Sequence, residues 1–198
     1  IAPPILIVLG AMTFVQVGYW RNSVTLLTHA RDVQPDDGGT RLMLGQALRS
    51  AGRSADAQRE LERGVELLPG FPDLYHALGQ ARINQDDFMG AAEAFTIAAS
   101  LAPDQPGYLF NAGVAFGRAK RFDLAEAAIR RAIDGGFRTP PAYLVLGNLL
   151  AQRGQLDDAI EQFERALQLA PDFAPARANL ERARRLNITA NPDRLPPP

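Results

Sequence analysis

The sequence predicts an all-α fold: a right-handed superhelical α-solenoid of helix-turn-helix units, preceded by a transmembrane helix. Three observations carry that prediction. Glycine and alanine recur every 34 residues through most of the chain. Within each period the apolar residues keep helical rather than strand spacing. The first twenty residues carry no charge, although 22% of the 198-residue chain is charged.

The opening segment runs from Ile1 to Trp20, and Ile5 to Phe14 reads ILIVLGAMTF. Roughly 20 apolar residues are enough for a helix to cross the hydrocarbon core, so residues 1–21 are expected to span a membrane. Tyr19 and Trp20 supply amphipathic rings at headgroup level, and Arg21 follows. The stretch has no starting Met, basic n-region or small-residue cleavage site, so it does not read as a signal peptide. The absent Met points to a longer parent chain. Arg21 and Arg31 alone leave the membrane orientation open.

The repeat is visible as four rows. Gly45, Gly79, Gly113 and Gly147 are each 34 residues apart, and Ala57, Ala91, Ala125 and Ala159 keep the same step. Leu61, Phe95, Ile129 and Phe163 form a bulky row, and Gly64, Ala98, Ala132 and Ala166 a small one. Pro69, Pro103 and Pro171 close three units, with Phe137 in the corresponding place of another. Given average glycine usage, the glycine row alone has a chance on the order of 10⁻³ to 10⁻⁴.

Each unit reads as two helices. In the last one, Tyr143, Leu146, Gly147 and Leu150 share one helical face, as do Ala159, Phe163, Ala166 and Leu167 in the second helix. Gly154-Gln155 is the turn between them, and Pro171 stops the second helix. Gly147 and Ala159 are expected to let the two helices approach, while Phe163 fills space between neighbouring units. So short a pair cannot bury its apolar face alone, and stacking supplies the core. The full units are 38–71, 72–105, 106–139 and 140–173. The run Asp134-Gly135-Gly136-Phe137 should end the second helix of the 106–139 unit early.

The frame extends at both ends. Leu27, Ala30 and Pro35 fall in the rows of Leu61, Gly64 and Pro69, making 22–37 a half-repeat helix. Residues 174–186 take the place of a further opening helix. Their arginines, Arg177, Arg182, Arg184 and Arg185, suit a cap whose outer face meets water. The tail, 187–198, ends in Pro-Pro-Pro and is expected to be disordered.

Composition excludes several functions. There is no cysteine, so disulfides, thiolate zinc sites and thiol nucleophiles are absent. His29 and His76 are the only histidines, and Lys120 is the only lysine. No catalytic residue, metal site or cofactor is expected, nor a small-molecule substrate. With 21 Lys+Arg against 22 Asp+Glu, the net charge of -1 lacks the basic excess of a nucleic-acid binder. Asp36-Asp37 and Asp157-Asp158 precede or open helices, where acidic residues suit the helix dipole.

The pattern resembles the tetratricopeptide repeat, a helix-turn-helix unit of 34 residues. Its aromatic-x2-Leu-Gly opening appears as Tyr75, Leu78, Gly79 and as Tyr143, Leu146, Gly147. Its Ala-x3-Phe-x2-Ala…Pro stretch appears as Ala91, Phe95, Ala98, Pro103 and as Ala159, Phe163, Ala166, Pro171. Arg41 and Leu109 depart from the opening aromatic, and Arg82 stands where an apolar residue would pack.

The resemblance implies a concave groove for a peptide or protein partner, lined by opening helices. Its groove-facing places carry Leu42, Gln46 and Arg49, then His76, Gln80 and Ile83. Phe110, Val114, Leu144 and Asn148 continue the line. The amides would pair with an extended backbone. Phe110 would be the apolar anchor, or would pack within the stack. The places that clamp chaperone C-terminal carboxylates in some family members carry Leu42, Gln46, Ala77, Asp73 and Gly107, with no basic pair. Chaperone-tail binding is therefore not expected.

The layout is also similar to the C-terminal part of polytopic, mannosyltransferase-like membrane glycosyltransferases with appended repeats. That resemblance rests on the stretch Val17 to Ser23 running directly into repeats. It implies membrane contact through residues 1–20, catalysis upstream of Ile1, and repeats on the periplasmic, lumenal or extracytoplasmic side. The leading expectation is a membrane-tethered interaction scaffold. The alternatives are an accessory region of such a transferase and an assembly factor that works by lateral packing.

Overall fold

The computed structural model describes residues 23–190. The expected transmembrane segment, 1–21, lies outside them, as do residues 191–198 of the expected tail. Among the described residues no helix is long and apolar enough to cross a membrane.

The described residues form ten helices and no strand. Four lie in a first compact unit that ends at Asp87: α1 (Ser23–Val33), α2 (Gly38–Ser50), α3 (Ser54–Leu67) and α4 (Pro72–Ile83). Six lie in a second unit that begins at Phe88: α5 (Phe88–Leu101), α6 (Gly107–Arg118), α7 (Phe122–Asp134), α8 (Pro140–Gln152), α9 (Leu156–Leu169) and α10 (Ala174–Ala190). The division falls inside the repeat expected at 72–105, whose opening helix belongs to the first unit and whose second helix belongs to the other.

Local chemistry fixes where the helices begin. Asp37 caps α2 by accepting from the backbone N–H groups of Gly39 and Thr40, at 3.1 and 3.0 Å. Pro72 and Pro140 open α4 and α8, where a missing N–H costs nothing. Asp56, Asp123, Asp157 and Asp158 stand in first turns, on the positive end of the helix dipole. The acidic pairs noted in the sequence therefore have structural work.

Every helix pair turns through one left-handed residue at the same register. Gly52 and Gly154 both have φ +77°, and Asp86 and Lys120 both have φ +59°. Two of these four places hold residues with a Cβ, which the left-handed region disfavours. A further positive φ, +104° at Gly136, follows α7, which ends at Asp134 and is one residue shorter than α3, α5 and α9. The early stop read from Gly135-Gly136 is thus observed.

Consecutive helices pack on one another within each unit. In the first, Leu44, Leu48, Leu61 and Leu74 are buried. In the second, Ile129, Tyr143, Leu146, Leu150, Phe163 and Leu180 form one cluster. Phe163 shares a cluster with Leu180 and Ala183 of the following helix and also packs within its own repeat. It lies over Gly147 of its own repeat, where an added Cβ would stand 2.5 Å from its ring. Gly113 receives Ile129 and Gly45 receives Leu61 in the same way. The bulky row therefore fills the notch left by the glycine row inside these three repeats. Helix–helix approach needs both partners: one missing side chain and one large one.

Two departures from the repeat pattern have polar explanations. Arg41, in place of the opening aromatic, is 13% exposed and pairs with Glu60 at 2.7 Å. It also donates to the Pro35 carbonyl through Nε and Nη2, at 3.1 and 2.7 Å. Arg177 holds the same register and donates to the Pro171 carbonyl at 2.6 Å. Arg82 pairs with Glu62 of α3 at 3.2 Å.

The C-terminal helix is longer than expected. α10 continues beyond Leu186 to Ala190, so residues 187–190 of the segment assigned to disorder are helical. Asn187 donates to Asp157 at 2.7 Å, a tie that needs the first turn of α9 beside it.

Candidate functional site

The opening helices of the first unit, α2 and α4, carry six of the sequence-predicted groove residues. Gln46 is exposed, while Leu42, Arg49, His76, Gln80 and Ile83 are partly buried. His76 and Gln80 stand one turn apart on α4, with Gln80 Nε2 3.2 Å from His76 Nε2. Burial pushes the His76 pKa below its ordinary value. Asp73 opposes that shift, and the Arg49 guanidinium on α2 adds to it. The structure thus brings Arg49, His76 and Gln80 together on one face. Arg49 Nε is buried there without a hydrogen-bond acceptor.

Gln46 has a second neighbourhood. It lines a depression of about 810 Å³ between α1 and α2, with Val24, Leu27 and Met43 on its walls. Met43 is half exposed.

In the second unit, the predicted residues divide by role. Phe110, Val114 and Leu144 are partly buried and pack against the hydrophobic cluster. The Phe110 ring lies 4.9 Å from that of Phe137, tilted by 31°. Phe137 occupies the place that holds proline in three other repeats, and its ring also covers Gly107, where a Cβ would stand 3.5 Å away. The aromatic replacement closes this repeat by stacking rather than by chain stiffness. Arg118, at the end of α6, sits 4.0 Å from the centre of the Phe88 ring and is engaged as a cation–π partner.

Asn148 is exposed and leads to residues that the sequence reading did not select. Its Oδ1 accepts from Asn179 Nδ2 of α10 at 2.7 Å. The two amides stand at a cleft of about 490 Å³, bordered by Ala151, Leu156, Arg182 and Leu186. Helix α10, read only as a cap, therefore also forms a wall of the cleft. The missed residues are Asn179, Arg182 and Leu186. Arg182 shares the register of Gln46, Gln80, Val114 and Asn148, and that spacing alone could have selected it.

What this arrangement offers chemically is hydrogen bonding and apolar contact. After their mutual bond, Asn148 keeps its NH₂ donors and Asn179 its carbonyl acceptor. An extended backbone presents the complementary groups. Among the described residues, no three His, Asp or Glu side chains are placed to hold a metal ion.

Comparison with known proteins gives a consistent picture. Family models described as the tetratricopeptide repeat match residues 39–81, 76–141 and 140–173. The chain is 26% identical over 182 residues to the human protein O-mannosyl-transferase TMTC1, covering 90% of this chain but only 20% of that protein. The crystal structure of MamA is similar, with a TM-score of 0.72 and 23% identity over 76% of this chain and 88% of that one. YrrB, described as a TPR protein with an unusual peptide-binding site, has a TM-score of 0.70 and 19% identity. That match covers 85% of this chain and 93% of the other.

Proposed function

The chain belongs to the tetratricopeptide repeat family, and from that premise we propose that it is a membrane-tethered scaffold that captures an extended peptide segment of a partner protein. The observation that carries this reading is the Asn148–Asn179 pair at its cleft. Two amides that satisfy each other only partly present a donor and an acceptor side by side. That is what main-chain recognition requires, and it does not depend on the partner's side chains. Apolar walls at Ala151 and Leu186 supply contact area. The similarity to YrrB, whose description names a peptide-binding site, supports the same reading. The tether is residues 1–20, whose uncharged length suits a bilayer.

The test is capture from a detergent extract with the 198-residue chain as bait, beside Asn148→Ala and Asn179→Ala variants. The expected result is a partner retained by the parent chain and lost from both variants, with helicity unchanged. Equal retention by parent and variants would remove the cleft from the reading. Extraction of the membrane-bound chain with alkaline carbonate tests the tether, which should hold.

The similarity to the human O-mannosyl-transferase favours a second reading, in which these repeats recruit protein substrate to a transferase whose catalytic part lies upstream. Reading the gene upstream of Ile1 decides it: further apolar spans with acidic loops support it, and their absence removes it.

A further inference from the structure

Among the described residues of the first unit, ion pairing leaves one arginine over. Arg31 and Arg41 share Glu60 at 2.6 and 2.7 Å. Arg53 and Arg59 share Asp56. Arg63 pairs with Glu66 at 2.7 Å and Arg82 with Glu62 at 3.2 Å. Among the described residues Arg49 has no carboxylate partner. It is partly buried on α2, its Nε closed off without an acceptor, and the charged or titratable group that acts with it is His76 on α4. The Arg49 Nε has lost its hydration with no acceptor in its place. A cation placed this way is costly to the isolated chain and favourable to a complex that supplies an anion.

The surroundings narrow the anion. Gln46 and Gln80 flank the site with amides, and Leu42 and Ile83 add apolar surface that is partly exposed. Asp73 acts on His76 from the same helix. One guanidinium between amides and aliphatic side chains matches one carboxylate in a mostly uncharged segment. A polyanion would need a row of cations, which this face does not have.

We propose that the α2–α4 face of the first unit receives a single acidic side chain, Glu or Asp, from within an extended apolar segment of the partner, with Arg49 as the residue that selects it. This rests on the reading of the chain as a peptide-capturing scaffold and concerns a face of the first unit that is distinct from the Asn148–Asn179 cleft of the second. The acid sits in the body of the segment rather than at its C-terminus, because recognition of a chain end needs further donors around the carboxylate and Arg49 is the one cation among the described residues named at this face. Arg49 is expected to favour an acid over its amide isostere by about tenfold in affinity, the usual scale for one hydrogen-bonded charge pair.

Two pools of blocked nonapeptides test this on the immobilised 198-residue chain. All positions are randomised except the centre, which is Glu in one pool and Gln in the other, and bound peptides are counted by mass spectrometry. The expected result is enrichment of the Glu pool by about tenfold, lost with Arg49→Gln and partly kept with Arg49→Lys. Far-UV circular dichroism shows whether the variants fold. The change from Glu to Gln in the peptide needs no protein variant, so the proposal stays testable if Arg49→Gln does not fold. Equal capture of the two pools would overturn the acid preference and leave peptide capture standing. A Glu preference that survives in Arg49→Gln would move the acid elsewhere and overturn the assignment. Capture of neither pool would remove both readings.

Discussion

The ring of Phe163 lies over the backbone of Gly147, so closely that a methyl group on that glycine would stand 2.5 Å from Phe163 Cε1. Gly147 belongs to α8 and Phe163 to α9, and the same relationship joins Gly113 to Ile129 and Gly45 to Leu61. The contact explains why glycine is found in the middle of helices, where it costs roughly 1 kcal/mol relative to alanine. The helix gives up propensity and gains the depth that a large side chain needs.

Gly147→Ala should therefore destabilise the chain although it raises helix propensity. Overpacking of this kind costs about 1–3 kcal/mol. Combining it with Phe163→Leu should recover part of the loss, because the added methyl then meets a smaller neighbour. Urea unfolding of the two single variants and the double variant measures this. Strictly additive effects would mean that the two residues do not share the notch.

The left-handed turn residues predict a stabilising change. Lys120 has φ +59° where Gly52 and Gly154 have φ +77°. Lys120→Gly removes a strain of about 1–2 kcal/mol and adds back about 0.5–1 kcal/mol of unfolded-state entropy. The net expectation is a small rise in thermal midpoint, and Gly154→Ala should lower it. A fall on Lys120→Gly would show that the lysine side chain contributes more than its backbone costs.

Asp37 gives a pH dependence with a definite sign. Bonds from the Thr40 hydroxyl and backbone, and from the Gly39 backbone, hold its pKa below the ordinary carboxylate value. A group depressed in the folded state stabilises above its unfolded pKa and loses that contribution as pH falls through its folded one. Asp37→Ala should lower the thermal midpoint at pH 7, and the gap should close on acidification below the usual carboxylate range. A gap that stays constant with pH would show that the charge of Asp37 plays no part in the cap.

Glu60 ties α1 to the repeats. It is 15% exposed and holds Arg31 of α1 and Arg41 of α2 on its two oxygens. Glu60→Ala strands two partly buried guanidinium groups, at a cost of about 2 kcal/mol, between the values for exposed and buried pairs. Amide hydrogen exchange should speed up in α1 more than in α3. Uniform acceleration, or none, would show that α1 is held by apolar packing alone.

Most of the architecture was legible in the residues because its causes are local and periodic. The 34-residue rows follow from stacking, which repeats the same steric demand in each unit. Helix starts at Pro72 and Pro140 and the early stop at Asp134 follow from backbone chemistry within a few positions. The groove residues were legible only through family register. The sequence alone determined a helical repeat array, the starts of several of its helices, and the absence of thiol chemistry. Tertiary structure decided what each side chain meets. It set Phe163 on Gly147 within one repeat, covered Phe110 with Phe137, and joined Asn148 to Asn179 across two helices. Among the described arginines of the first unit, it also gave each a carboxylate except Arg49. Periodicity states which face a residue occupies. Which partner is there depends on distances between helices, set by the packing of side chains far apart in the chain.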